Sequence, residues 1–264
     1  MTAVPTALDD PVAFAALIAP VLDRAAIGVH LARPREAIVE IRERHGTDRL
    51  GFLLEFRNPV LAGVNIPLSG LHAVVRYPAP GFVEEELDAL VGGGLVTMDG
   101  DELLPTERAQ AIVDELVSVM DHVVNELWAW RSASFERVRA LIETAIDGAR
   151  ESGGPAFAVQ TSAPIALPGR SDAFQLWNHL WPLRYHRADA HAAAWAADGL
   201  TAAEIAAMEP GDRRDRIEAD TNRRAAPPWA ALTADERLDL LAGLGALPGA
   251  GEPTTRWPGP RSAR

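Results

Sequence analysis

The chain has 264 residues and is acidic, with 37 Asp and Glu against 25 basic residues and a formal net charge of -12; it has no cysteine, and every basic residue outside histidine is Arg. Without Cys or Lys there can be no disulfides, Cys-ligated zinc, Fe–S clusters, thiol nucleophiles, Schiff bases or P-loop chemistry. No apolar run reaches the roughly 18–20 residues of a membrane span, and MTAVPTALDD lacks the regions of a secretory leader, so a cytoplasmic protein without membrane contact is expected.

Helix signals dominate the chain. Phe14, Leu17, Ile18, Val21 and Leu22 share one face of a helix over 10–23. A second helix is expected from Pro34 to Arg44, stopped by Gly46, and a short apolar one from Thr47 to Phe56, ended by Asn58-Pro59. Pro67, Pro78 and Pro80 break up the next stretch, leaving Leu68–Tyr77 as its best helix. An amphipathic helix carrying Phe82, Val83, Leu87, Leu90 and Val91 runs into Gly92-Gly93-Gly94. Leu95–Met98 and Glu102–Leu104 then read as strands joined at Asp99-Gly100, a tight-hairpin signal. Thr106 caps a long helix whose apolar stripe runs from Ile112 to Leu127, and a further helix covers Ser134–Arg150.

Residues 151–170 are the expected linker, opened by Gly153-Gly154-Pro155 and closed by Pro168-Gly169. It divides an N-terminal part, 1–150, from a C-terminal helical part, 171–247; a Pro/Gly/Arg-rich tail from 248 to 264 is expected to be disordered. The C-terminal part opens with a long helix to Ala197, kinked or divided at Pro182. Thr201-x-x-Glu204 and Thr233-x-x-Glu236 fit capping boxes for helices at 202–208 and 234–246, and 212–224 is a helix stopped by Pro227-Pro228.

The order short helix, helix, Gly turn, hairpin, long helix is carried by Leu87-x-x-Leu90-Val91, Gly94-Leu95-Val96, Asp99-Gly100 and Leu104-Pro105-Thr106-Glu107-Arg108. Over about 35–130 this resembles the winged helix-turn-helix module of MarR-like regulators. A second stretch, about 175–247, contains Leu183-Arg184-Tyr185-His186-Arg187-Ala188-Asp189-Ala190-His191, Thr221-Asn222 and Pro227-Pro228-Trp229. It resembles a poorly characterised actinobacterial helix-turn-helix family grouped with MarR-like proteins. The resemblance implies a mainly α fold with one small β-hairpin, a C-terminal helical domain, and transcription regulation as a homodimer. In such families an apolar stripe like Ile112–Leu127 serves for pairing. A second, degenerate helix-turn-helix over 200–224 is an alternative reading of the C-terminal part.

The charges oppose DNA reading by the first module. A recognition helix needs Arg, Lys, Asn or Gln on its exposed side. Here the helix from Phe82 presents Glu84, Glu85, Glu86 and Asp88, and the hairpin tip carries Asp99, Asp101 and Glu102. The more basic candidate for DNA is the helix bearing Arg213, Arg214, Arg216 and Arg223, offset by Asp212, Asp215, Glu218 and Asp220.

Within 172–197, Trp177, Trp181, Arg184, His191 and Trp195 fall on one helix face. Two readings follow: a Trp-rich core seam with exposed histidines, or a pocket for a planar or anionic small molecule anchored by Arg184 and His191. Trp128 and Trp130 are placed to close the same pocket. His186 with Asp189 could seat zinc or iron, but two helical turns separate His186 from His179, so no metal, cofactor or catalytic residue is assigned. Phosphate-binding, lipase-type serine and zinc-protease motifs do not occur. Three functions stay open: a MarR-like ligand-responsive regulator, a winged-helix-derived binding protein that does not touch DNA, and an enzyme using His186, His191 and nearby acids.

Overall fold

Asp10 starts the first helix by accepting the amide of Val12, and α1 (Pro11–Ala32) then continues well past Asp23. The computed structural model describes residues 7–78, 81–129 and 135–248. α2 (Arg35–His45) ends on Gly46, whose φ of 60° supplies the left-handed turn. Asn58-Pro59 does not end the next helix. α3 (Leu50–Glu55) breaks two residues earlier, at Phe56, and Pro59 lies in the first turn of α4 (Arg57–Ala62), where its missing N–H costs no hydrogen bond.

β1 (Ile66–Pro67) and α5 (Leu68–Val74) follow, then α6 (Phe82–Gly92), β2 (Val96–Asp99), β3 (Glu102–Pro105) and α7 (Glu107–Trp128). The expected hairpin forms with Met98 opposite Leu103, and Ile66 pairs with Leu103 from the other side. The sheet is therefore antiparallel with order β1-β3-β2, one strand more than the hairpin alone. Thr106 caps α7 as its sequence position implies, accepting the amide of Ala109.

α8 (Phe135–Ala149) is followed by α9 (Pro155–Gln160), which lies inside the stretch read as a linker. Ala156, Phe157, Val159 and Gln160 are buried there, against α5 and α10 (Asp172–Ala197). α11 (Ala202–Ala207) and α14 (Ala234–Gly245) both open with complete capping boxes. α12 (Asp212–Arg224) leads into α13 (Pro227–Ala230), so Pro227-Pro228 start a helical turn rather than only stopping one. Among the described residues the chain is mainly α with one small sheet.

α10 is the centre of the fold. It runs unbroken through Pro182, against α1, α7, α8, α9 and α12, and every residue from Ala173 to Leu183 is buried. One apolar core reaches from Phe14 to Leu247 and draws on both the N-terminal and C-terminal parts. The α7 stripe belongs to it: Ile112, Val113, Leu116, Val117, Met120 and Val124 are within 1% of full burial, facing α1, α2, α3, α4 and α10. A face occupied in this way cannot also pair with a second copy, which removes the sequence argument for a homodimer. α1 is long and apolar enough to cross a membrane by length and composition, contrary to the sequence expectation. Half of that window is buried in the protein, Asp23 pairs with Arg184, and Arg24 donates to the carbonyls of Leu244, Gly245 and Leu247. Of the expected tail, 248–264, all but Pro248 lies outside the described residues, as does the start of the chain.

Candidate functional site

Arg184, Arg187, Ala188 and His191 recur at spacings of three and four, so α10 holds them on one stripe. Opposite them lie Ala19–Asp23 of α1 and the segment Ala73–Tyr77 at the end of α5. Together these three elements enclose an open cavity of about 360 Å³, within the size range of small-molecule sites. Its polar groups are Asp23, Arg76, Tyr77, Arg184, Tyr185, Arg187 and His191 among apolar walls of Ala, Leu, Val and Pro. Three guanidinium groups and one carboxylate line it, and two further carboxylates, Asp189 and Glu218, pair with Arg76 and Arg187 from outside the lining.

Each cation is held in place. Arg184 Nε donates to Asp23 Oδ1 at 2.8 Å, and its guanidinium lies 5.5 Å from the Trp181 ring. Arg187 bonds Asn222 Oδ1 at 2.8 Å and pairs with Glu218. Arg76 donates to the carbonyls of Ala73 and Ala188 and to Asp189 Oδ1 at 2.5 Å, tying α5 to α10 across the cavity wall. Asp189 in turn accepts the amides of Ala156 and Phe157 at the start of α9. A Cβ at Gly154 would sit 2.7 Å from the Asp189 carboxyl carbon, so this approach requires glycine. His191 Nδ1 lies 3.1 Å from Thr221 Oγ1; burial, opposed by Glu218 and reinforced by the nearby arginines, lowers its pKa. At neutral pH its ring is uncharged and can accept or donate one hydrogen bond.

Of the sequence candidates, Arg184 and His191 line this cavity, and Trp177, Trp181 and Trp195 do not. Trp177 and Trp181 are fully buried, with Trp177 Nε1 donating to the Ala26 carbonyl at 2.9 Å. Trp195 packs in a small separate cluster with Tyr77, Ile205 and Ile217. Trp128 is also a core residue, donating to the Pro248 carbonyl; Trp130 lies outside the described residues. The seam reading therefore holds for Trp177 and Trp181, but the histidines beside them are not exposed: His179 and His186 are 3% and 2% accessible.

His186 Nε2 lies 2.9 Å from Ser152 Oγ, and burial lowers its pKa to about 4. The carboxylate of Asp189, which could orient that ring or share a metal with it, is committed to Arg76 and the α9 amides. The Ser152 hydroxyl also reaches the Ala149 carbonyl. A neutral, buried imidazole with such neighbours is a weak base for activating a nucleophile.

Sequence reasoning missed the polar layer behind the cavity. Glu55, Arg57 and Asn58 sit at the α3–α4 break and are buried with Asn178. Tyr185 donates to Glu55 Oε2 at 2.5 Å, Arg57 Nε donates to Asn178 Oδ1 at 2.6 Å, and Asn178 Nδ2 donates to Asn58 Oδ1 at 2.9 Å. The Arg57 guanidinium lies 4.7 and 4.9 Å from the Trp177 and Trp181 rings. The only sequence signal was the charged run Glu55-Phe56-Arg57-Asn58 inside an apolar stretch.

The two candidate DNA faces differ in detail from expectation. On α6, Glu84, Glu85 and Asp88 are exposed, as are Asp99, Asp101 and Glu102 at the hairpin. Glu86 is not: it is 5% accessible and paired with Arg49, with burial raising its pKa against the pull of Arg49. On α12, Arg213 pairs with Asp198, Arg223 with Asp220, and Arg214 reaches the Met208 carbonyl. Arg216 is exposed on the same helix. No family model, curated protein or solved structure matches the chain.

Proposed function

We propose that this chain is a winged-helix-derived protein that binds a small anionic or planar molecule and does not read DNA through α6 and the hairpin. The observation that carries this is the cavity between α1, α5 and α10, lined by Arg76, Arg184, Arg187 and His191. Oriented cations on apolar walls recognise an anionic group on an apolar body. The winged-helix part of the reading draws support from the order of elements: helices, β1, α5, α6, β2, hairpin, β3, with the strands ordered β1-β3-β2.

In such a module α5 and α6 form the helix-turn-helix, so a ligand touching Ala73–Tyr77 adjoins the connection that sets the angle of α6. That is the arrangement a ligand-responsive regulator needs, and MarR-like transcription regulation is the second reading. It is favoured by the topology alone. The exposed carboxylates on α6 and the hairpin weigh against it, since phosphates would be repelled where a wing should hold them. α12 offers five Arg against four acids, a net of +1.

Calorimetric titration with a panel of aromatic and aliphatic carboxylates tests the first reading. At least one should bind the unaltered protein, and Arg184→Ala should weaken it. The absence of any binding across the panel would remove the small-molecule reading.

A further inference from the structure

Four buried polar atoms in one neighbourhood have no hydrogen-bond partner in the protein: Arg57 Nη2, Trp181 Nε1, Asn58 Nδ2 and His30 Nδ1. Among the described residues only Trp195 Nε1 shares that condition, so such atoms are concentrated here and not scattered. Folded proteins satisfy nearly all buried polar groups, and a cluster of orphans calls for a shared partner. The contacts tie the four together. Arg57 stacks on Trp181, the His30 ring lies 6.3 Å from Trp181, and Asn178 bonds both Arg57 and Asn58.

The chemistry of the missing partner follows from the atoms. A guanidinium, an indole and an amide NH₂ are donors only, so what they need is an acceptor. Placed around one water molecule, three donors would exceed its two lone pairs. Water also brings two hydrogens of its own, and none of the four orphans can receive one: His30 Nε2 accepts from the Arg33 guanidinium, so in the neutral ring Nδ1 carries the proton. An anion takes several N–H donors and has no hydrogens to place.

The charge around the cluster points the same way. Arg57 is 1% accessible, and its hydrogen bonds go to two neutral acceptors, Asn178 Oδ1 and the Leu54 carbonyl. Burial, then Arg33, Arg57 and Arg184, drive His30 down to about 3, so the imidazole is neutral and sits in a positive field. Glu55, a buried carboxyl that interacts with Arg57, accepts from Tyr185, and burial raises its pKa against the pull of Tyr185, Arg184, Arg57 and Arg33.

We propose that Arg57, Trp181 and Asn58 form an internal binding site for one small monovalent anion, a halide or a formate-sized carboxylate. The site is separate from the cavity ligand of the preceding section, although Arg184 and Tyr185 contact both neighbourhoods.

The test uses the full chain in gluconate buffer, with chloride in one series and formate in another replacing gluconate at constant ionic strength. For the unaltered protein the melting temperature should rise with chloride or formate and saturate, as linkage requires. Which series does so identifies the anion. Trp181→Phe keeps the ring and removes one donor, so the midpoint should move at least tenfold to higher anion concentration. Trp128→Phe, which removes an indole N–H elsewhere in the core, should leave the dependence intact. Superimposed curves for the unaltered protein and Trp181→Phe, or no dependence on either anion, would overturn the proposal. If Trp181→Phe fails to fold, crystals of the unaltered protein grown in bromide and in formate decide. A bromide anomalous peak, or formate density, within hydrogen-bond reach of Arg57 Nη2 and Trp181 Nε1 supports the site. Water alone at that position, or ions only at the surface, overturns it.

Discussion

Acid should unfold this protein in part through His186. The imidazole is 2% accessible, packs edge-on against Phe157 with ring centroids 5.7 Å apart, and has its pKa lowered by burial from 6.5 to about 4. Because the folded value lies below the unfolded one, the unfolded chain takes up the proton first as pH falls. The stabilisation is complete above about pH 6.5 and is lost progressively as the pH drops toward 4. A shift of that size is worth about 3 kcal/mol in total, or about 1.4 kcal/mol per pH unit inside the window. The assay is urea unfolding followed by circular dichroism at pH 7, 6, 5 and 4.5, for the unaltered protein and His186→Gln. Glutamine keeps a polar contact for Ser152 and cannot titrate, and all other acid-sensitive groups are common to both proteins. The unaltered protein should lose about 2–3 kcal/mol more than the variant between pH 7 and 4.5. Parallel stability profiles would refute the assignment of His186 as a neutral core residue and reopen it as an acid–base or metal-binding group.

Further outcomes follow from the same geometry. Asp189→Asn leaves Arg76 partly buried without its carboxylate and should cost about 3–5 kcal/mol, read from urea midpoints. Gly70→Ala places a Cβ 2.3 Å from Val159 Cγ2, so it should lower the melting temperature clearly, and adding Val159→Ala should recover most of the loss. Arg184→Ala should weaken any anion that binds the cavity by roughly 10–100-fold, the worth of a charge-assisted hydrogen bond, in calorimetric titration. Retention of random duplex DNA at low salt, followed by fluorescence anisotropy, should be absent; binding that weakens steeply with added salt would favour the regulator reading instead.

Local signals in the sequence read through well where the interaction is local. Gly46, Thr106 and the two Thr-x-x-Glu boxes mark helix ends because caps are satisfied within three or four residues. The Asp99-Gly100 hairpin is equally short-range. What failed depended on tertiary contacts. β1 is two residues long and exists because β3 offers it a partner. α9 is helical inside an apparent linker because Phe157 and Val159 are covered by distant elements. The stripe on α10 joined residues with different surroundings: Trp177 and Trp181 face the core, while Arg184 and His191 reach the cavity. Periodicity alone cannot separate these, since a central helix is covered on nearly every side. The Glu55–Arg57–Asn178 layer stayed hidden for the same reason, because its hydrogen bonds join residues more than a hundred positions apart.

The Arg- and His-lined cavity is proposed to hold an anionic small molecule. The most direct measurement is a crystal structure of the protein grown with the tightest carboxylate from the calorimetric panel. Density for that molecule is expected between α1, α5 and α10, with its carboxylate within hydrogen-bond reach of Arg184, Arg187 or His191. Density at another place on the protein, or only water between these three helices, would contradict it.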